Sequence, residues 1–268
     1  MNLLERKMLD LLRLEKESYG CIALKAEFEA EGTRVDELLR LIEIARKADV
    51  GIALKVGGCE AIRDLLESKQ IGVDYIVAPM IETPYALTKF IDAINKIYSK
   101  TERDDTKFLF NVETKYAFSC LDDLIEIAVM PNGVDGIVFG RVDFSLSTGL
   151  SRNDINSDKI TDIVLSVSQS CRNADLEFVV GGGVSMDSLP MLKKIKDIHL
   201  SRFETRKVIF SSDALKIKDV AKGLLNAVHF ELLWLQNKQN YYTLIGQEDA
   251  TRIKMLEERW KALMEKHS

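Results

Sequence analysis

A chain of 268 residues that is 46% hydrophobic and 29% charged can bury a sizeable core and fits one large α/β barrel or two small domains. Its formal net charge of −5 argues against non-specific nucleic-acid binding, and no apolar run approaches membrane-spanning length, so neither nucleic acid nor membrane is expected as a partner. Cys21, Cys59, Cys120 and Cys171 lie far apart with no CxxC pair, which removes a zinc knuckle and a disulfide framework and points to a reduced, cytoplasmic protein.

In chain order, the first predicted element is a helix over 2–17, whose apolar residues are interrupted by charges as a signal peptide's are not. Short β-branched runs then predict strands over 20–28, 50–56, 73–80, 107–113, 134–140 and 176–182. Amphipathic helical stretches such as 35–47 and 87–98 alternate with them, which implies parallel pairing with both sheet faces covered. Strands at 197–202 and 206–210 would complete a set of eight; the alternative is an incomplete barrel. Helices follow over 213–237 and 247–266. The last carries Ile253, Leu256, Trp260 and Leu263 at helical spacing, and packs either on its own barrel or on a neighbouring subunit of a homo-oligomer. With no Pro/Gly/Ser-rich linker, the expected architecture is a single (β/α)8 TIM-barrel domain over 1–268, its barrel at about 20–237, with additional N- and C-terminal helices.

Internal similarity supports a β/α unit used several times. Ile22-Ala23-Leu24-Lys25 recurs as Ile52-Ala53-Leu54-Lys55. Gly72-Val73-Asp74 heads one strand and Gly133-Val134-Asp135 another, while Glu82-Thr83 and Glu113-Thr114 each precede a Tyr-Ala pair.

In such a barrel, chemistry gathers where the C-terminal ends of the strands converge. Glu113 closes KFLFNVE and Asp143 follows GIVFGRV, so two carboxylates end successive strands and could hold Mg²⁺ or Mn²⁺. The competing interpretation is a salt bridge for Glu113 and a helix cap for Asp143. Lys25, Glu27 and Glu29 alternate along the first strand; facing inward, they must pair or bind something, and facing outward they are merely solvated, with Leu24, Ala26 and Phe28 as the core set. Lys55 ends the second strand, placed either to stabilise an enolate oxygen or to pair with Glu27 or Glu29. Gly57-Gly58 and Gly181-Gly182-Gly183 are turns able to expose backbone N–H groups to an anion, or simply tight turns. His199, His229 and His267 form no HxH or HExxH pattern, and GxSxG, GxGxxG and GxxxxGK[ST] are absent.

The segments Val77-Ala78-Pro79-Met80-Ile81-Glu82-Thr83, Asn111-Val112-Glu113-Thr114 and, most specifically, Val134 through Ser145 (VDGIVFGRVDFS) resemble the HpcH/HpaI aldolase and citrate lyase β-subunit superfamily, over about Ala23 to Asn226. The resemblance implies Mg²⁺ or Mn²⁺ at Glu113 and Asp143. It also implies a keto-acid carboxylate at Gly140, Arg141 and Val142, with Met80 and Gly182 beside it. The implied reaction cleaves or forms a 2-keto-4-hydroxy acid through a metal-bound pyruvate enolate. Two departures stand out. Lys55 replaces the family's arginine and loses its planar fork. Ala30 falls where a catalytic histidine belongs, so Glu29, Glu27 or water must act as the base. A citrate-lyase-like reaction on an acyl thioester, a Schiff base on Lys55 or Lys25, and a non-catalytic ligand-binding barrel are the alternatives.

Overall fold

The structure, a computed structural model, describes residues 1–267, with the side chain of His267 outside that description. Eight strands close a barrel in sequence order: β1 (Cys21–Glu27), β2 (Gly51–Lys55), β3 (Tyr75–Ala78), β4 (Lys107–Val112), β5 (Gly136–Gly140), β6 (Glu177–Gly181), β7 (Arg202–Glu204) and β8 (Val208–Ser211). Around them run α1 (Leu3–Tyr19), α2 (Val35–Ala48), α3 (Ile62–Ile71), α4 (Pro84–Ile97), α5 (Lys100–Arg103), α6 (Lys115–Ser119), α7 (Leu121–Ala128), α8 (Arg141–Ser147), α9 (Asp158–Asn173), α10 (Leu189–Ile198) and α11 (Val220–His267).

The expected barrel with extra terminal helices is present, and it differs from a regular one in one strand. β1 to β7 are parallel, whereas β8 runs antiparallel to both β7 and β1. Only Thr205, Arg206 and Lys207 separate β7 from β8, too few for the crossover that parallel strands require. The Thr205 amide donates to the Val208 carbonyl at 2.9 Å, closing the turn. The helices expected over 213–237 and 247–266 are joined in one continuous helix of 48 residues, α11, which begins only at Val220; Ser212–Lys216 ahead of it is a separate short 3-10 turn.

The repeats acquire a physical reason. Asp74 and Asp135 each sit just ahead of a strand and accept the amide of a residue in the preceding strand, Ile52 at 2.7 Å and Phe108 at 2.8 Å. Ser201 does the same for Phe178 at 3.1 Å. Thr83 and Thr114 are N-caps, each accepting a backbone amide three residues on at 3.1 Å, and Pro84 follows Thr83 as the first residue of α4.

Alternation along the strands divides the core. Leu24, Ile76, Phe108, Phe110, Phe139, Phe178 and Phe210 point outward and build the main apolar layer under the helices. Inside the barrel the apolar filling is thin, consisting of Val77, Leu109, Val138 and Val179 with a smaller group around Ala23, Ala53 and Ile209. Above that filling the interior is charged. Among the described residues no helix is long and apolar enough to cross a membrane.

Candidate active site

A cavity of about 660 Å³ opens at the C-terminal ends of β1 to β7. Lys25 and Glu27 of β1 do face inward. Lys25 Nζ lies 2.6 Å from Glu204 Oε1 and 3.0 Å from Glu27 Oε1, and these two carboxylates outweigh the effect of burial and raise its pKa. Burial works against ionisation of Glu27, but the attraction of Lys25, Lys55 and Arg206 prevails and lowers its pKa.

Lys55 is one layer higher, its Cα level with that of Glu27. Its Nζ lies 3.1 Å from Glu29 Oε2 and 3.4 Å from each Glu113 oxygen. Glu113, 2% exposed, also accepts the Met80 amide at 3.0 Å on Oε1 and the Asn111 amide at 2.5 Å on Oε2. Met80 can point its N–H there because its backbone is left-handed, with φ of 47°. Gly140 presses against the same carboxylate: a Cβ there would stand 2.8 Å from both Cβ and Oε2 of Glu113.

Asp143 lies in the first turn of α8 and lines the cavity. Burial raises its pKa, and the negative charges of Glu113, Glu29 and Glu27 add to the rise while Lys55 opposes it. Among the described residues no group of three or more His, Cys, Asp or Glu converges on one metal position. The donors that fit a hard cation are the Glu113 and Asp143 carboxylates, with Asn111 Oδ1 buried beside them and lacking a hydrogen-bond partner. Two carboxylates suffice for Mg²⁺ or Mn²⁺, which keep further positions for water and substrate oxygens.

Of the residues singled out from the sequence, Glu29, Lys55, Met80, Glu113, Gly140, Val142, Asp143 and Gly182 all line the cavity. The Arg141 side chain does not. It is fully buried behind the strand ends, donating to the Gly181 carbonyl at 3.1 Å, Asn156 Oδ1 at 2.8 Å and Ser188 Oγ at 3.2 Å. Burial lowers its pKa to about 10. Gly182 packs against the backbone of α8's first turn, with φ of 76° and room for no Cβ, which would lie 2.6 Å from the Arg141 nitrogen. Ala30 lines the mouth, and among the described residues no histidine does. His199 lies at the opposite end, its Nε2 2.8 Å from the Leu176 carbonyl just ahead of β6.

Glu204, Arg206 and Glu231 are cavity residues that sequence patterning missed. The three-residue β7 is too short to display a period of two, although Arg202 and Glu204 flanking Phe203 was the available signal. Lys207 is buried and pairs with Glu31, which Arg206 also contacts at 3.0 Å, tying the β7–β8 turn to the loop after β1.

The HpcH/HpaI aldolase/citrate lyase family profile matches residues 22–191. An HpcH/HpaI aldolase from Desulfitobacterium hafniense DCB-2 superposes with a TM-score of 0.58 at 13% identity, covering 80% of this chain and 86% of its own. A HpcH/HpaI aldolase/citrate lyase family protein from Burkholderia cenocepacia J2315 gives 0.59 at 14%, covering 83% and 90%. A variant of the citrate synthase SbnG gives 0.53 at 14%, covering 74% and 81%. No curated protein sequence matches significantly. The barrel, the strand-end site and the match over residues 22–191 together establish that this chain belongs to the HpcH/HpaI aldolase/citrate lyase family, whose activities are lyases of the aldolase and citrate lyase type.

Proposed function

We propose that the protein is a divalent-metal-dependent carbon–carbon lyase that cleaves or forms a small 2-keto-4-hydroxy acid. The observation that carries this is the charge of the cavity. Its lining has six carboxylates (Glu27, Glu29, Glu113, Asp143, Glu204 and Glu231) and four cations, so a keto-acid anion would enter an excess of two negative charges. A bound divalent ion offsets that excess. Glu113 and Asp143 would hold Mg²⁺ or Mn²⁺, which when bound supplies Lewis acidity to keto-acid oxygens.

The chain's own groups do the rest. Lys55 Nζ places positive charge where an enolate oxygen develops, while Glu113 and Glu29 fix its position. Glu29, a quarter exposed at the mouth, takes the proton of the 4-hydroxyl during cleavage and returns it in the reverse direction. Gly140, Val142 and Gly182 border the pocket and would receive the substrate carboxylate. A Schiff base on Lys25 is disfavoured, because Glu204 and Glu27 hold its amine protonated.

A non-catalytic ligand-binding barrel is the second reading, favoured by a cavity lining that holds no histidine among the described residues. The test is pyruvate release from 2-keto-4-hydroxy acids with Mn²⁺, with and without EDTA, alongside Mn²⁺ titration of Glu113→Gln and Asp143→Asn. EDTA-sensitive turnover lost in both variants together with Mn²⁺ affinity supports the lyase. Turnover insensitive to EDTA removes the metal, and Mn²⁺ binding without turnover on any acid tested favours the binding barrel.

A further inference from the structure

Glu29 moves the proton in the proposed reaction, yet little holds its carboxylate in place. Its Oε2 has no hydrogen-bond partner among the described residues, and its ion-pair contact is Lys55 Nζ at 3.1 Å. The position of Glu29 therefore depends on the turn that bears it. Backbone bonds pin that turn at its two ends, where the Phe28 amide donates to the Lys55 carbonyl at 2.8 Å and the Thr33 amide to the Glu27 carbonyl at 3.1 Å. Between them the amides of Glu29, Ala30 and Glu31 donate to no backbone acceptor among the described residues. The Gly32 amide bonds only within the turn, to the Glu29 carbonyl at 3.3 Å. A segment with so few bonds opens readily unless side chains restrain it.

The restraint comes from the neighbouring strand ends. Because β8 is reversed, Thr205, Arg206 and Lys207 form a tight turn where a regular barrel would place a helix. The Lys207 carbonyl accepts the Lys25 amide at 2.8 Å, so this turn is bonded to β1 directly. Glu31 Oε1 lies 3.0 Å from Arg206 Nε, and Glu31 Oε2 pairs with Lys207 Nζ. The Lys207 side chain is buried, and Glu31 is the one carboxylate it contacts among the described residues. From α11, the Trp234 ring lies 5.9 Å from Lys207 Nζ and Glu231 4.0 Å from Arg206. Parting Glu31 from Lys207 leaves a buried charge without its partner, which is far less favourable than breaking an exposed pair.

On the lyase reading given above, we infer that Glu31 is a positioning residue: gripped by Lys207 and Arg206, it clasps the turn after β1 and keeps the Glu29 carboxylate beside Lys55. Glu31 itself does not line the cavity, so it acts on the reaction through Glu29 and not through the substrate. The residues expected to hold the keto-acid lie on β4 to β6 and are independent of the clasp. Its loss is thus felt in turnover more than in substrate affinity.

The test is a double-mutant cycle on the full-length protein with saturating Mn²⁺, comparing Glu31→Gln, Glu29→Gln and the double variant, with hydrogen exchange measured at the Phe28 and Thr33 amides. Glu31→Gln is expected to lower kcat by about 10²-fold with KM nearly unchanged. The double variant should be no slower than Glu29→Gln alone, since Glu31 acts through that residue. The Phe28 and Thr33 amides should exchange roughly tenfold faster in Glu31→Gln while Leu109 in β4 keeps its rate. Arg206→Gln leaves the buried Lys207 paired, so it folds even where Glu31→Gln does not, and should give a smaller loss that is likewise absent in the Glu29→Gln background. Losses that multiply in the double variants mark a purely structural role and overturn the inference. Wild-type kcat or wild-type exchange in Glu31→Gln overturns it too. A wild type without turnover overturns the lyase reading instead, and the exchange rates alone then decide the clasp.

Discussion

Lys55 stands between two carboxylates from different strand ends, its Nζ 3.1 Å from Glu29 and 3.4 Å from Glu113. Replacing it removes the one cation that Glu113 contacts among the described residues. Lys55→Met is expected to lower turnover by about 10²–10³ and to destabilise the fold by on the order of 3 kcal/mol. Lys55→Arg, which keeps the charge, should lose much less stability than Lys55→Met. Steady-state kinetics and urea unfolding of both variants check this.

Gly140 leaves room for the Glu113 side chain, and no other residue type can. In Gly140→Ala the new Cβ would stand 2.8 Å from Glu113 Oε2 and must push the carboxylate away from Asn111 and Met80. Displacement of a site group by about 1 Å costs roughly 10²-fold in rate. The expected variant unfolds cooperatively but has correspondingly lower turnover and weaker Mn²⁺ binding, read by kinetics and titration.

Glu15 is fully buried in α1, next to Gly223 of α11. Burial pushes its pKa up to about 7, with Asn226 opposing only part of the rise. The folded state therefore holds this proton more tightly than the unfolded chain, and between pH 4.5 and 7 the unfolded chain has fewer protons bound. The sign is fixed: stability falls as pH rises through that window, and above it the cost of the buried charge, about 3 kcal/mol, is fully present. Glu15→Gln should remove this slope, seen as denaturation midpoints that converge with the wild type at low pH and exceed it at pH 8.

Arg141 illustrates a buried cation held by neutral acceptors. Arg141→Met relieves a desolvated charge but takes the guanidinium's bonds from the Gly181 carbonyl, Asn156 and Ser188, leaving Asn156 Oδ1 only the Ser188 hydroxyl at 3.2 Å. Buried polar groups left unpaired cost about 1–3 kcal/mol each, so net destabilisation on the order of 2 kcal/mol is expected in thermal or urea unfolding.

The sequence carried the barrel because its apolar runs are regularly spaced, and six strands fall within about two residues of their expected bounds. It also placed Lys55, Glu113, Gly140 and Asp143, since strand ends are readable once the strands are. The reversed β8 was not legible, because an apolar run such as 208–211 looks the same in either direction. The inward turn of Arg141 away from the cavity was equally hidden: only the tertiary position of Asn156 and Ser188 decides it. The unity of α11 was obscured by Gly246, a weak helix former that a long helix tolerates.

The reversed β8 also bears on how the barrel forms. Pairing β8 with β7 across Thr205 to Lys207 is a local event that requires almost no loop closure, whereas its pairing with β1 joins residues 21–24 to 208–210. A hairpin can thus be assembled on a microsecond scale and docked as one preformed stave, making the β1–β8 seam the late step of folding. Pulsed hydrogen exchange should then protect the Thr205 and Val208 amides before that of Lys25, which reaches across to the Lys207 carbonyl at 2.8 Å.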